Sequence, residues 1–425
     1  MKKIIALVLA LVMVLSLCAL SVAEETGEVY WLNFKPESDE DLQAIAARYT
    51  ELTGVPVKIV TAASGTYDAT LRSELDKENP PTLFVLGNAA AVKEWGEYCY
   101  DLTGTPIANE LNTNAYNLYD ENGKLCSIGY CYECFGIIVN TALLAKAGYT
   151  LDDIKDFESF KAIVEDIHAR SGELGFDAFT SSGMDPSSSW RFSGHLANVA
   201  LYYEARDDGW EAGPVPATIT GKYLPNYKKL WDLYINNSAV DPSALATGGF
   251  DAEAEFVSGK AVFYQNGSWE YGACSVLGDE NIAMIPFYCG VEGEEMAGLN
   301  CGTENCWAVN AEADPEDIQA TLDFMYWLVT DPEASALLNR TFGVMPYQHA
   351  AVSTNKFLAD ANAYANAGKY TMTWAFNYTP NTDEWRAGVV AAMNIYDADP
   401  TDENWAIVQT AFVEGWSVQY IAANG

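Results

Sequence analysis

Residues 29–60 read VYWLNFKPESDEDLQAIAARYTELTGVPVKIV, and residues 81–86 read PTLFVL. Val29 to Phe34 is a short run of aromatic and β-branched residues, the composition of a strand. Ser38 then stands where a helix cap belongs. Asp39, Glu40 and Asp41 fill the first turn, where the helix dipole favours negative charge. Leu42, Ile45, Ala46, Tyr49 and Leu52 recur at helical spacing and predict one buried face. Gly54 supplies the stop. Val55 to Val60 reads as a second strand, and Pro81 to Leu86 as a third after an intervening helix. Strand, helix, strand, helix, strand implies an α/β fold with right-handed crossovers and a parallel sheet.

The rest of the chain continues in the same style without repeating. Gly129 to Asn140 reads as extended, and Phe157 to Ala169 as a helix. A second helix, Tyr227 to Asn236, carries Leu230, Leu233 and Tyr234 on one side. Asp314-Pro315 and Asp331-Pro332 each read as a cap followed by a first helical residue. Between them Ile318, Leu322, Met325 and Val329 form an apolar stripe. No low-complexity linker separates domains, so two lobes joined by crossing strands are expected.

At the N-terminus, Lys2 and Lys3 precede an apolar run from Ile4 to Leu17, and Ser21-Val22-Ala23 offers a cleavage point. This is the layout of a secretory signal over residues 1–23. The run is shorter than the ~20 residues that span a bilayer. Leu17 is a poor residue before Cys18 for lipid attachment, so an anchor there is disfavoured. Removing Lys2 and Lys3 from 23 basic residues leaves 21 against 59 acidic ones, or 21 − 59 = −38. That charge argues against a nucleic acid partner and against adsorption to anionic lipid.

Nine cysteines become eight if Cys18 leaves with the signal. An even number in an exported chain permits disulfides. Cys131-x-x-Cys134 alone is weak evidence for zinc, and a redox pair would stand at a helix start rather than in an extended run. Structural thiols or disulfides are expected, of unknown connectivity, with no metal and no cofactor. Catalytic signatures are missing. The three histidines fall in no H-E-x-x-H, the Gly-Lys pairs lack the rest of a phosphate loop, and no G-x-S-x-G elbow occurs. Several aromatics instead sit in polar, glycine-containing stretches: Asn266-Gly267-Ser268-Trp269, Ser189-Trp190-Arg191 and Thr373-Trp374-Ala375-Phe376. An indole face suits the C–H face of a pyranose ring, and amides, Arg and carboxylates suit its hydroxyls.

Phe256-Val257-Ser258-Gly259-Lys260-Ala261-Val262, running into Gln265-Asn266-Gly267-Ser268-Trp269, resembles the F-x-x-G-x-A-A-M-x-x-x-G-x-W stretch of the extracellular solute-binding proteins of carbohydrate importers. Tyr132 to Asn140 resembles that family's first crossover strand, with Val139 where Tyr is usual. Gly302-Thr303-Glu304-Asn305 with Trp307 to Asn310 resembles the return strand, and Asp323 to Pro332 the helices after it. The cysteines are not a family trait.

The resemblance implies a two-lobed fold with a ligand cleft and a hinge at the crossing strands, near Phe135-Gly136 and Ile285-Pro286. Lobe 1 would be 24–137 plus 287–345, and lobe 2 would be 138–286 plus 346–425. It also implies a monomer outside the cytoplasm that delivers a small solute, a mono- or oligosaccharide, to the permease subunits of an ATP-driven (ABC) importer. Carried over residue by residue, the expected ligand-binding positions begin with Trp269 as stacking platform and Glu133 at a crossover. Asn33, Lys35 and Asn88 follow strand ends. Ser64 and Gly65 form a turn after the second strand. Trp190 pairs with Arg191, and Glu304 and Asn305 lie in the return segment. Trp374 and Trp385 come from the C-terminal part. His195 is a further candidate for the cleft, although a satisfied buried histidine is the preferred reading. The rival readings are a polyamine, peptide or organic anion in the same cleft, and a surface glycoside hydrolase with two facing carboxyls.

Overall fold

The computed structural model describes residues 27–63, 66–181, 183–185, 188–210, 213–240, 251–343 and 346–425. Its strands are β1 (Val29–Asn33), β2 (Val57–Thr61), β3 (Leu83–Leu86), β4 (Leu118–Tyr119), β5 (Leu125–Gly129), β6 (Glu133–Asn140), β7 (Asp177–Phe179), β8 (Ala261–Gly267), β9 (Ile282–Ile285), β10 (Ala297–Gly302), β11 (Cys306–Val309) and β12 (Tyr370–Thr373). They form two sheets, ordered β2-β1-β3-β11-β5-β4 and β12-β10-β6-β8-β7, with β9 also paired to β6. In the first sheet β1 runs parallel to β2 and to β3, as the opening stretch requires.

Between β1 and β2 lies helix α1 (Asp39–Thr53), which buries Leu42, Ile45, Ala46 and Tyr49. Gly54 ends it at φ 80°, a conformation that favours glycine. Two details differ from expectation. Leu52, in the last turn of α1, is exposed rather than buried. Ser38 does not cap α1 through its side chain: it closes a 3₁₀ turn, Pro36–Ser38, and its hydroxyl donates to the Lys35 carbonyl at 2.7 Å. The expected helix at 157–169 forms with those bounds as α2 (Phe157–Ala169). The next is longer at its start, α3 (Leu224–Ile235), because Pro225 is accommodated in a first turn. In α4 (Pro315–Thr330), Leu322, Met325 and Val329 are buried, and in α5 (Pro332–Phe342) Asp331 caps the amides of Glu333 and Ala334. Asp314 does not cap α4.

Each sheet has its own core. Trp31, Phe84, Tyr130 and Trp307 lie in the core of the first lobe. The second sheet is covered on both faces, by a large aromatic core that includes Phe135, Phe263, Trp231 and Trp385, and by a smaller one around Cys134, Phe256 and Phe357. The C-terminal helices α6 (Thr382–Ala398) and α7 (Asp402–Asn424) pack into the large core through Val389, Met393, Phe412 and Trp416.

The chain changes sheet in places other than those expected. All of β6, from Glu133, pairs within the second sheet, and so do β9 and β10 as far as Gly302. The passages are therefore 130–132 and 303–305, not Phe135-Gly136 and Ile285-Pro286. After β9 the chain loops back to β10 on the same sheet before leaving it, which puts 287–302 in the second lobe. Later, Tyr347 still packs in the first core and Phe357 in the second.

Candidate functional site

A cleft of about 830 Å³ lies where the passages meet. The loop after β1 enters it from the first lobe. Asn33 shapes that loop: its amide donates to the Lys35 carbonyl at 2.7 Å and to Thr61 Oγ1 at 3.0 Å, and its Oδ1 accepts from the Lys35 amide at 3.1 Å. Lys35 Nζ then reaches Glu133 Oε1 at 2.7 Å and Glu37 at 3.5 Å. Glu133 Oε2 accepts from Asn305 Nδ2 at 2.9 Å, so both passages and the β1 loop share one buried polar knot. Burial works against the Lys35 charge, but Glu133 and then Glu37 outweigh it and hold the amine protonated. The same ammonium stands 5.2 Å from the Trp269 ring centre, a cation–π distance.

Trp269 is fixed by its own neighbours. Its indole N–H donates to Asn266 Oδ1 at 2.7 Å. The ring folds back over Gly267, where a Cβ would lie 2.2 Å from it, so only glycine leaves the ring in this position. Gly302 plays the same part for Trp374, with 2.8 Å left for a Cβ. Trp190 lies 5.9 Å from Trp269. His195 stands amid these rings. It stacks on Phe135 at 4.3 Å and lies 5.2 Å from Trp269, 5.9 Å from Trp374 and 5.3 Å from Phe376. Burial, and then Arg386, Lys35 and Arg191, push the His195 pKa well below its usual value, so the ring is neutral. Its Nδ1 and the Trp374 indole N–H are buried without a partner among the described residues. Of the two sequence readings of His195, the less favoured one describes its place: the ring is buried but lines the cleft, and its Nδ1 has no partner among the described residues.

Carboxyls and guanidinium groups complete the walls. Burial, with Glu133 and Asp383 adding to it, raises the Glu304 carboxyl to about 7 against the pull of Arg386 and Lys35. Asp68 is raised to about 6, first by burial and then by Asp383 and Glu94. Arg386 sits 3.8 Å from Asp383, and its Nε lies 3.4 Å from Ser193 Oγ. Arg72 is paired with Glu94.

Of the residues expected at the site, the cleft brings together Lys35, Asn88, Glu133, Trp190, Trp269, Glu304 and Trp374. Asn88 also caps the next helix by accepting from the Ala91 amide at 3.0 Å. Four others stand behind the wall. Asn33 and Asn305 are buried supports of the polar knot. Arg191 donates to the Gln265 carbonyl at 3.1 Å beneath the wall. Trp385 is core, its indole N–H donating to the Phe412 carbonyl at 2.9 Å. Ser64 and Gly65 lie outside the described residues. Sequence reasoning missed Asp68, Arg72, Asp383 and Arg386, and it singled out the stretch that holds Phe376 without naming that residue as a binding position. Helical phase was the available signal for Asp383 and Arg386. These are three apart on α6 and share a face, whereas Trp385 between them turns inward.

Two α/β lobes with a charged, aromatic-walled cleft between them define a solute-binding protein. The chain belongs to the bacterial extracellular solute-binding protein family, whose model matches residues 44–366. Among solved structures it is similar to the solute-binding protein RafE in complex with raffinose (TM-score 0.71, 17% identity, covering 93% of this chain and 100% of that one). It is likewise similar to the bacterial solute receptor AcbH, described as having a substrate preference for β-D-galactopyranose (TM-score 0.71, 14% identity, 93% and 100% covered). A third is maltose-bound MalE3 of T. maritima (TM-score 0.66, 16% identity, 92% and 99% covered). At these identities the likeness establishes the fold. No curated protein matches the chain. The family and these neighbours are binding proteins, not enzymes. Among the described residues no helix is long and apolar enough to cross a membrane, and no cluster of His, Cys, Asp and Glu could hold a metal ion.

Proposed function

We propose that this protein captures a mono- or oligosaccharide outside the cytoplasm and delivers it to the membrane permease of an ATP-driven importer. The observation that carries the reading is the wall of Trp190, Trp269, Trp374 and Phe376 set against Lys35, Glu304 and Arg386 in one cleft. Flat apolar faces with convergent donors and acceptors match the two-sided chemistry of a sugar ring. The raffinose, β-D-galactopyranose and maltose named with the structural neighbours support it. Trp269 would be the stacking platform, with Trp190 and Trp374 beside it, and Glu304 and Arg386 would take hydroxyls. The lobes would close over the solute by hinge motion at 130–132 and 303–305, with the closed form binding it more tightly. Residues 1–23 would direct export, the mature chain would act as a monomer, and Leu17-Cys18 disfavours a lipid anchor.

One feature favours a second reading, a cationic solute such as a polyamine: Asp68 and Glu304 face the cleft with no hydrogen bond from the described residues. A thermal-shift screen against sugars, polyamines, peptides and organic acids separates the two. A ligand at ~100 times its Kd adds about 2.7 kcal/mol to stability. A selective shift with one sugar series supports the first reading. A shift with a polyamine and none with any sugar replaces it.

A further inference from the structure

Eight cysteines lie among the described residues, all as buried thiols, and solute binding accounts for none of them. The Cys131-x-x-Cys134 pair is divided between cores. Cys131 packs in the first lobe and Cys134 in the smaller core of the second. They cannot act together as a redox pair or a zinc clip. The antiparallel pairing of β6 and β10 gives Cys134 a different neighbour: Cys301 is directly opposite it.

The pair has the geometry of a cross-strand bridge. The Cys134 amide donates to Ser268 Oγ at 3.1 Å, on the β8 side, and so points away from β10. Cys301 is likewise paired on its other side, with Thr373 of β12. Cys134 and Cys301 are therefore a non-hydrogen-bonded pair, whose Cα atoms in antiparallel sheets stand about 4.5 Å apart. Disulfides take Cα separations of roughly 4.4–6.8 Å. Both side chains enter the same small core and so share a face of the sheet. Their present contacts are sulfur ones: Cys134 Sγ to the Phe357 carbonyl at 3.5 Å and to Met284 Sδ at 3.9 Å, and Cys301 Sγ to the Leu299 carbonyl at 3.6 Å and to the Tyr132 side chain. In a disulfide these contacts would give way to the S–S bond.

We propose that Cys134 and Cys301 are joined by a disulfide in the exported protein. The bond would tie β6 to β10 one residue in from where each meets a passage between the lobes, fixing the separation from which both passages start. The proposal rests on membership of an extracellular family, not on the identity of the solute. Oxidation would proceed by exchange with a small-molecule or protein disulfide. One cysteine thiolate attacks a sulfur of that disulfide and releases a thiolate, and the second cysteine thiolate then attacks the mixed disulfide and releases the other. The two cysteines lose two protons and two electrons, and the oxidant leaves as two thiols. Cys134 is fully buried and Cys301 nearly so, which assigns the step to folding rather than to the finished structure.

The test uses the mature chain, refolded from denaturant in a mixture of reduced and oxidised glutathione. Free thiols are then alkylated under denaturing conditions, and the non-reduced protein is digested for mass spectrometry. The expected result is a Cys134–Cys301 cross-linked peptide, with both residues unalkylated. A reductant then lowers Tm by several degrees in the wild type and not in the Cys134→Ala/Cys301→Ala protein. Full alkylation of Cys134 and Cys301 overturns the proposal. So does a cross-link from either residue to another cysteine.

Discussion

Lys35 and Glu133 come from different lobes and meet in a buried ion pair, their side chains only 8% and 3% exposed. Such a pair contributes little when intact, since desolvation offsets the attraction, but its breakage is costly. Glu133→Gln leaves a buried ammonium with only the half-open Glu37 near it. Denaturant unfolding of that variant is expected to show a loss of about 3–5 kcal/mol. Lys35→Met combined with Glu133→Gln should recover most of the loss, whereas an equal loss in the double variant would refute the ion-pair account. Trp269 acts differently: its indole N–H is held by Asn266 and its ring lies over Gly267, with the Lys35 ammonium beside its face. Trp269→Ala should leave folding intact and weaken the best-binding solute by about 10- to 100-fold, or about 1.4–2.7 kcal/mol, by titration calorimetry. An unchanged Kd removes Trp269 from the binding surface.

At the scale of elements, β8 and the turn after it make one unit, since the strand ends at the glycine over which the indole lies. Gly267→Ala is expected to push the ring aside. Solute binding should then weaken about as much as in Trp269→Ala, while the far-ultraviolet circular dichroism stays that of the wild type. A Gly267→Ala protein with normal affinity would show that the ring position does not matter. This unit was legible in the sequence because Asn266, Gly267 and Trp269 are local to one another. The opening βαβαβ stretch was legible for the same reason, as adjacent strands and the helix between them carry their own periodicity. The lobe boundaries were not. An extended run such as Gly129 to Asn140 looks alike whether it stays in one sheet or passes to another, and only the partners of Glu133 and Gly302 decide it. Arg191 and Trp385 were misplaced because composition shows which residues suit a sugar but not which way they turn. On α6, one residue's rotation of about 100° sends Trp385 into the core and leaves Arg386 at the cleft.

The whole molecule carries a formal charge of −36, and several of its carboxyls are buried at raised pKa. Burial, with Asp232 adding to it, lifts Asp397 from its ordinary 3.8 to about 7, although the Trp231 indole N–H donates to it at 2.8 Å. Burial likewise lifts Glu270 from 4.5 to about 8, with Glu253 the next cause. Between the ordinary and the raised value the folded protein keeps a proton that the unfolded chain has lost. Stability from these groups is complete below pH ~4 and falls as pH rises toward 7 or 8. Relief of charge repulsion on acidification acts in the same direction. The Tm is therefore expected to be higher at pH 5 than at pH 8, and Asp397→Asn should flatten that slope. A Tm that rises from pH 5 to pH 8 would contradict the burial of these groups.

Solute binding should run the other way. Glu304, at about 7, faces Arg386, Lys35, Glu133 and Asp383, and it accepts a hydroxyl hydrogen more strongly when ionised. Affinity is then expected to fall as pH drops from 8 to 5, with Glu304→Gln weaker at pH 8 and its remaining pH dependence confined to the range near 6 where Asp68, also in the cleft wall, takes up its proton. Opposite trends of Tm and affinity in one protein would separate the carboxyls that are merely buried from those that face the cleft, Glu304 first among them. Parallel trends would place Glu304 with the former, and the cleft would then read its solute through the aromatic wall and Arg386 alone.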